Sequence, residues 1–200
     1  MILYGASGHG KVVRDILMSQ RIKVKAFFDD NANLTQFESL SVFRYQPELY
    51  INEEVIISIG NNLIRKNLSN LVQHEFGIGI HISAIIGSNV IIDKGTVVMQ
   101  GAIVQSSVKV GAHVILNTAS TVDHDCVLED FVHVSPNATL CGNVIVGEGS
   151  HIGAGAAVIP NIKIGKWCTI GAGSVVINDI PDYAVVVGNP ARIIRLNSIH

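Results

Sequence analysis

The chain has 200 residues, 48% of them hydrophobic and 15% charged, and carries a net charge of −2 at pH 7. That is enough for one large or two small globular domains, and too apolar for a disordered segment. No basic run suggests a nucleic-acid surface, no apolar stretch approaches the ~20 residues of a membrane span, and the N-terminus lacks the basic segment of a secretory leader, so a cytoplasmic protein is expected.

Residues 1–79 read as an α/β unit. Ile2-Leu3-Tyr4 is a short apolar strand, closed by the turn Gly5-Ala6-Ser7-Gly8-His9-Gly10. A helix follows, with Val12, Val13, Ile16 and Leu17 at amphipathic spacing. Val24 to Phe28 reads as a second strand ending at Asp29-Asp30, and Val55 to Ile59 as a third ending at Gly60-Asn61-Asn62. A second helix runs from about Ile64 to Glu75. The alternation implies a small parallel sheet, a Rossmann-like half-domain.

In such sheets ligands bind beyond the carboxyl ends of the strands, where the three polar turns converge. A glycine-rich turn entering a helix lets backbone N–H groups approach a phosphate. Asp29 stands about 20 residues beyond the glycines, where a carboxylate reads a ribose or base. The turn lacks the full G-x-G-x-x-G pattern, so two readings stand: a nucleotide site, or tight strand–helix turns with no ligand. A unit of this length is half a dinucleotide fold, so a single nucleotide fits better than NAD.

From Ile80 to Val176 every sixth residue is Ile, Leu or Val, through 17 uninterrupted hexads. Four residues after each comes a small or modest side chain, as in Ala84, Thr96, Ser120, Cys126 and Ala138. A fixed period means a solenoid whose repeats bury their faces only on their neighbours. Six residues suit one short strand and one turn, and three such units close a triangular coil, so the 17 hexads give between five and six coils in a domain that spans residues 80–200 with its cap. The turn Val187-Gly188-Asn189-Pro190-Ala191-Arg192 then caps the open end. Cys126 and Cys168 occupy inward repeat positions and Cys141 stands alone, so neither a disulfide framework nor a metal site is expected. Outward Val97, Ile103, Ile115 and Val127 exceed what a solvated prism exposes, which points to a closed threefold ring.

Of eight histidines, His124 stands out, placed outward in its hexad between Asp123 and Asp125. A neutral imidazole can take a proton from an attacking amine or hydroxyl, and an adjoining carboxylate can hold its tautomer. The alternative is a solvated turn histidine. One coil further on lies Gly142, which would leave room for a substrate and offer its N–H to an oxyanion, or serve as an ordinary turn glycine. His133 is either a ligand contact or a surface residue. Pro136, Ala154 and Ala172 form a stacked column of small outward residues, a track where backbone amides can meet an extended ligand. Arg192 either pairs with a phosphate or stands solvated.

Tyr4 to Gly10, Phe28-Asp29-Asp30, Ile59 to Asn62, Asn117 to Asp125 and Gly188 to Arg192 occur together and in this order. In this combination the chain resembles the NeuD/PglD family of bacterial sugar acetyltransferases. The resemblance covers nearly the whole length and implies a left-handed parallel β-helix behind the half-domain. It implies acetyl transfer from acetyl-CoA to the amine of a nucleotide-linked sugar, foremost a UDP-4-amino-4,6-dideoxy sugar, in bacterial glycan synthesis. The alternative is O-acetylation of sialic acid or another sugar hydroxyl. By resemblance His124 is the general base, Asp125 the acid that raises its basicity, and Asn117 a polar active-site residue. His133, Ala154 and Ala172 match acetyl-CoA contacts, and Ser7, Gly8, His9, Asp29, Asp30 and Gly60 match nucleotide-sugar contacts. Family members form trimers, and no metal takes part. The stretch from Asn31 to Tyr45 matches poorly.

Overall fold

The structure, a computed structural model, describes residues 1–197. Its N-terminal part holds β1 (Ile2–Tyr4), α1 (Gly8–Ser19), β2 (Phe27–Phe28), β3 (Gln36–Phe37), β4 (Leu40–Phe43), β5 (Val55–Ile57) and α2 (Asn62–Leu71). The sheet order is β3-β4-β2-β1-β5. β1 lies parallel to both β2 and β5, and β2 is parallel to β4. All residues of β1, β2 and β5 are buried, as in a sheet covered on both faces. The expected second strand shrinks to Phe27–Phe28, and the third ends at Ile57 because Ser58 turns back to bond the carbonyls of Tyr4 and Gly5. The second helix starts two residues earlier than expected, capped by Asn61, whose side chain accepts from the Ile64 N–H. It ends at Leu71, where Val72 is extended. The hairpin of β3 and β4 was not expected from the sequence. Its two-residue turn, Glu38-Ser39, has positive φ at both residues (49° and 64°), the geometry that matches strand twist but usually recruits glycine or asparagine.

The coil follows. Among the described residues, 17 two-residue strands run from Gly79–Ile80 to Val175–Val176. They stack as three parallel sheets with partners 18 residues apart, for example Ile103 on Thr121 and Thr121 on Thr139. The first face carries Val97–Val98, Ile115–Leu116, His133–Val134, His151–Ile152 and Thr169–Ile170. It is closed by Ala184–Val187 and an antiparallel strand, Arg192–Leu196. The second face runs from Ile85–Ile86 to Val175–Val176, and the third from Ile91–Ile92 to Lys163–Ile164.

The hexad makes this shape for a local reason. The first place points in and is buried almost throughout, from Val98 to Val176. The fourth place has positive φ in every hexad from Asn89 to Gly173, which turns the chain at each corner. Asn and Gly fill most of these places, since other L-residues pay about 1 kcal/mol or more there. The fifth place points inward at the corner, and two polar residues there are paired with backbone, although the buried Ser120 hydroxyl has no partner among the described residues. Thr96 donates to the Gly111 carbonyl (2.8 Å) and accepts from the Val114 N–H (3.0 Å), and Ser150 does the same with Gly165 and Cys168.

The two parts share a core. Val13, Ile16 and Leu17 of α1, with Leu3 and Ile56, pack on Val97, Met99 and Ile115 of the first face. This corrects the expectation that Val97 and Ile115 stand outward to solvent: they are 2% and 1% exposed, covered by their own chain. Ile103 and Val127 are half-buried. Among the hexads the most exposed apolar residues lie in the first turns, with Ile85 and Ile91 each at 60%, while Ile145, Ile159 and Ile177 further along are exposed to a lesser degree.

Candidate active site

The glycine turn after β1 is shaped by steric demand. Gly5 has φ +119°, and a Cβ there would meet the Ser58 carbonyl at 2.8 Å. A Cβ on Gly10 would meet the Gly5 carbonyl more closely still. Gly8 and Gly60 differ: a Cβ at either would meet nothing within 4 Å, so packing within the chain does not demand glycine there. Ser7 takes the N-cap position of α1 but makes no side-chain cap, and the first turn holds no acidic residue. The helix start therefore offers N–H groups and a partial positive charge outward.

Asp29 fixes this turn. Its Oδ2 accepts from the Ala6 N–H at 2.8 Å and its Oδ1 from the Asn31 N–H at 2.9 Å. Asp30 accepts from the Tyr4 hydroxyl at 2.8 Å. Burial, then this hydrogen bond, holds the Tyr4 phenol well above its usual range. His9 is half-buried, and its Nε2 has no partner among the described residues. Burial and nearby Arg65 push its pKa down to about 4, so it is neutral at pH 7.

From the coil, His133 reaches up to the turn after β5. Asn117 accepts the Thr118 N–H through its own Oδ1 (2.8 Å), which turns its amide nitrogen toward His133 Nε2 at 3.0 Å. That Nε2 must accept, so Nδ1 carries the proton and donates to the Gly60 carbonyl at 3.3 Å. Burial first, then His151, Arg65 and His9, lower the His133 pKa to about 3. The His133 ring stacks on His151 at 4.7 Å, and His151 Nε2 lies 2.7 Å from Ser135 Oγ. A cavity of about 950 Å³ opens here, lined by Gly60, Asn61, Lys66, His133, His151 and Trp167 among others. Lys66 is paired with Glu148 and lies over the Trp167 ring.

Ala154 and Ala172 are exposed on the corner that also carries Asn117 and Pro136. Their neighbours Gly155 and Gly173 bond back to the Pro136 and Ala154 carbonyls, while the N–H groups of Ala154 and Ala172 have no acceptor among the described residues. A row of outward amides results. Arg192 starts the closing strand beyond this corner, and its guanidinium donates to the Ala191 carbonyl.

His124 stands at a different corner, between the second and third faces. Its side chain is 60% exposed. Nδ1 lies 2.8 Å from Asp125 Oδ2, and its backbone N–H bonds Asp123. The hydrogen bond to Asp125, then the Asp123 charge, raise its pKa above the usual value. Nε2 is thereby left as the acceptor. Gly142 lies directly beneath, as expected, but the space is filled by the imidazole itself: a Cβ would stand 2.6 Å from Cε1 and 2.7 Å from Nε2 of His124. Its glycine makes room for the ring and not for a substrate. The Gly142 N–H has no acceptor among the described residues.

The expected residues thus fall into three groups within one chain, one of them Ala154 and Ala172 at the amide-row corner with Arg192 beyond it. Ser7, Gly8, His9, Asp29, Asp30, Gly60, His133 and Asn117 gather around the turns of the sheet and the first face. His124, Asp125 and Gly142 gather at a corner that the N-terminal part of the same chain does not touch. Sequence reasoning missed Arg65, Ser135 and His151, and named Asn62 only as part of the turn after the third strand; their contacts with the coil and across its rungs leave no local signal.

A coil of stacked hexapeptide rungs is the architecture of the hexapeptide-repeat transferases. Residues 1–72 match the PglD N-terminal domain, and residues 125–158 match the bacterial transferase hexapeptide (six repeats). PerB from Caulobacter crescentus, solved with CoA and GDP-perosamine, is 32% identical with a TM-score of 0.91, over 96% of this chain and 95% of that one. The acetyltransferase domain of PglB from Neisseria gonorrhoeae FA1090, solved with acetyl coenzyme A, is 36% identical with a TM-score of 0.89, over 96% and 98%. GDP-perosamine N-acetyltransferase of Escherichia coli O157:H7 is 29% identical over 75% of each protein. Some curated relatives are longer: the match to serine acetyltransferase 2 of Arabidopsis thaliana spans 98% of this chain but 56% of that protein. The chain belongs to the PglD-type sugar acetyltransferases, acetyl-CoA-dependent enzymes built on a left-handed parallel β-helix. Among the described residues no helix is long and apolar enough to cross a membrane.

Proposed function

We propose that the protein transfers the acetyl group of acetyl-CoA to the amine of a nucleotide-linked amino sugar. The observation that carries this reading is the hydrogen-bonded path from Asn117 through His133 to the Gly60 carbonyl. It joins the corner bearing the amide row to the turn beside the open glycines. The helix start at Ser7 and Gly8 receives the diphosphate, while Asp29, Asp30 and His9 border the nucleotide. Ala154 and Ala172 meet the cofactor through their backbones.

His124 is the base. The amine nitrogen attacks the thioester carbonyl, forming the N–C bond and an oxyanion, which the free Gly142 N–H can steady. His124 Nε2 takes the amine proton. Collapse breaks the C–S bond, and the departing thiolate recovers a proton from the imidazolium. Because His124 lies at a corner away from the nucleotide turns, the base for one site comes from a second copy of the chain. A homotrimer satisfies this by cyclic closure, and exposed Ile85 and Ile91 are available to such an interface. The UDP-linked 4-amino-4,6-dideoxy sugar is the first candidate acceptor, and GDP-perosamine, present in the PerB structure, is the second.

The test is a panel of UDP-, dTDP- and GDP-linked 4-amino sugars with acetyl-CoA, read by thiol release, beside matched hydroxyl sugars and free sialic acid. Turnover confined to amines supports the reading. Turnover only with hydroxyl acceptors replaces it by O-acetylation.

A further inference from the structure

At the corner between the third and first faces, residues 95, 113, 131, 149 and 167 all have positive φ. His113 stacks on Phe131 with rings 5.2 Å apart and 2° from parallel. The left-handed turn points the carbonyls of His113, Phe131 and Gly149 out of the coil's own ladder, and no backbone N–H of the described residues bonds them. They lie under α2, where a buried carbonyl needs a donor.

Two side chains of the first turn of α2 supply the donors. Arg65 Nε donates to the His113 carbonyl at 2.8 Å, and Arg65 Nη2 to the Phe131 carbonyl at 2.9 Å. Asn62 Nδ2 donates to the Gly149 carbonyl at 2.9 Å. Three successive rungs are therefore gripped by one helical turn. The same guanidinium holds the nucleotide turn through the Ile59 carbonyl (3.0 Å) and the Gly60 carbonyl (3.3 Å), and it donates to Asn62 Oδ1 (2.9 Å), which fixes the amide's orientation. Arg65 is 1% exposed and pairs with no carboxylate among the described residues. A buried guanidinium is costly unless its donors are all engaged. Here its partners are backbone carbonyls on both sides of the interface.

We propose that Arg65, with Asn62, is a positioning residue for acetyl transfer: it registers the nucleotide turn against three rungs of the coil and so sets the distance between sugar amine and thioester. The kinetic part rests on the acetyl-transfer reading above, whereas the geometric part does not. Arg65 touches neither reactant, so the ligands should still bind while the reaction slows. A misplacement of about 1 Å at the reacting atoms is enough to lower kcat on the order of 10²-fold.

The test uses the full-length protein. Arg65→Met keeps the side-chain length and removes every donor. Dissociation constants for the nucleoside diphosphate and for CoA, measured by calorimetry, should stay within about twofold, while kcat falls on the order of 10²-fold. Arg65→Lys, which cannot bridge two rungs, should recover only part of the rate. If Arg65→Met does not fold, Asn62→Ala carries the test, with a smaller loss of kcat in the same pattern. Independently of activity, spin labels at Met18→Cys and Lys163→Cys, in a Cys141→Ser background diluted with unlabelled protein, should report one narrow distance that broadens in the Arg65 variant. An unchanged distance distribution, or a weakened nucleotide Kd with unchanged kcat, overturns the proposal. If the wild type acetylates no nucleotide sugar, the functional reading falls and the spin-label distances still decide the clamp.

Discussion

The contact between His124 and Asp125, the proposed base and its neighbour, is a local construction, and that is why it can be read from adjacent residues. His124 and Asp125 are adjacent, and the positive φ of Asp125 (61°) folds its carboxylate back onto Nδ1. His124→Ala should lower kcat by roughly 10²–10⁴-fold, the usual worth of a general base, with CoA affinity unchanged by calorimetry. A folded variant at near-normal rate would remove His124 from the mechanism. Asp125→Asn removes the main cause of the raised His124 pKa. Since the neutral ring is the active form, the acid limb of the kcat/KM profile should move to lower pH, with a lower plateau. A limb that stays in place would mean another group titrates there. His133 was legible only as a candidate, because its partners lie 16 and 73 residues away. The same distance in sequence hid Arg65, which reads as a solvated helix arginine until the coil is wrapped beneath it.

At the scale of elements, the hexads declared themselves because each rung repeats one packing problem. The hairpin of β3 and β4 did not, since Glu38-Ser39 lacks the glycine or asparagine that normally marks such a turn. Strand ends were over-extended for a related reason: apolar residues such as Ile59 continue past the strand to cover the sheet edge, where Ile59 packs with Tyr4, Ile57 and Leu68. The turn after β1 depends on a single carboxylate outside it. Asp29→Ala frees the Ala6 N–H and loosens the start of α1, so the KM for the nucleotide sugar should rise about tenfold or more, the worth of a hydrogen bond to a charged group. The KM for acetyl-CoA should hold. Steady-state kinetics with each substrate varied in turn separates the two, and a rise in the acetyl-CoA value would contradict the division of labour.

At the scale of the molecule, several histidines are sealed neutral between the two parts. His9 and His113 have pKa values lowered to about 4 and His133 to about 3, each by burial first, against an ordinary 6.5. The folded values lie below the unfolded ones, so the unfolded chain binds more protons and stability rises with pH through that window. It should be complete above about pH 6.5 and decline as pH falls toward 4. Thermal melts across this range should show a falling Tm. A Tm flat from pH 7 to 4 would mean that these rings are hydrated. His124 works in the opposite sense, its raised pKa favouring the fold at low pH, but its side chain lies mostly in solvent and offsets little. Assembly has its own test. Mixed oligomers of a His124→Ala subunit and an Ala172→Trp subunit should regain activity if each site draws its base from one chain and its amide row from another. Verified mixing with no recovery would place the whole site within one chain.

The 18-residue rung spacing also makes the chain sensitive to reading frame. Adding a full coil beyond Gly173 would lengthen the amide row and leave every upstream residue in its column, so such proteins can adjust reach at the far end by duplication. Inserting a single hexad between Phe131 and Gly149 would be a different event. Every later residue would move round by one face, Gly149 would leave the column that Asn62 reads, and a core with no lost apolar residue would carry a scrambled site. Lineages of this fold should therefore tolerate length changes in steps of whole coils near the C-terminal end and resist single-hexad steps within the three clamped rungs.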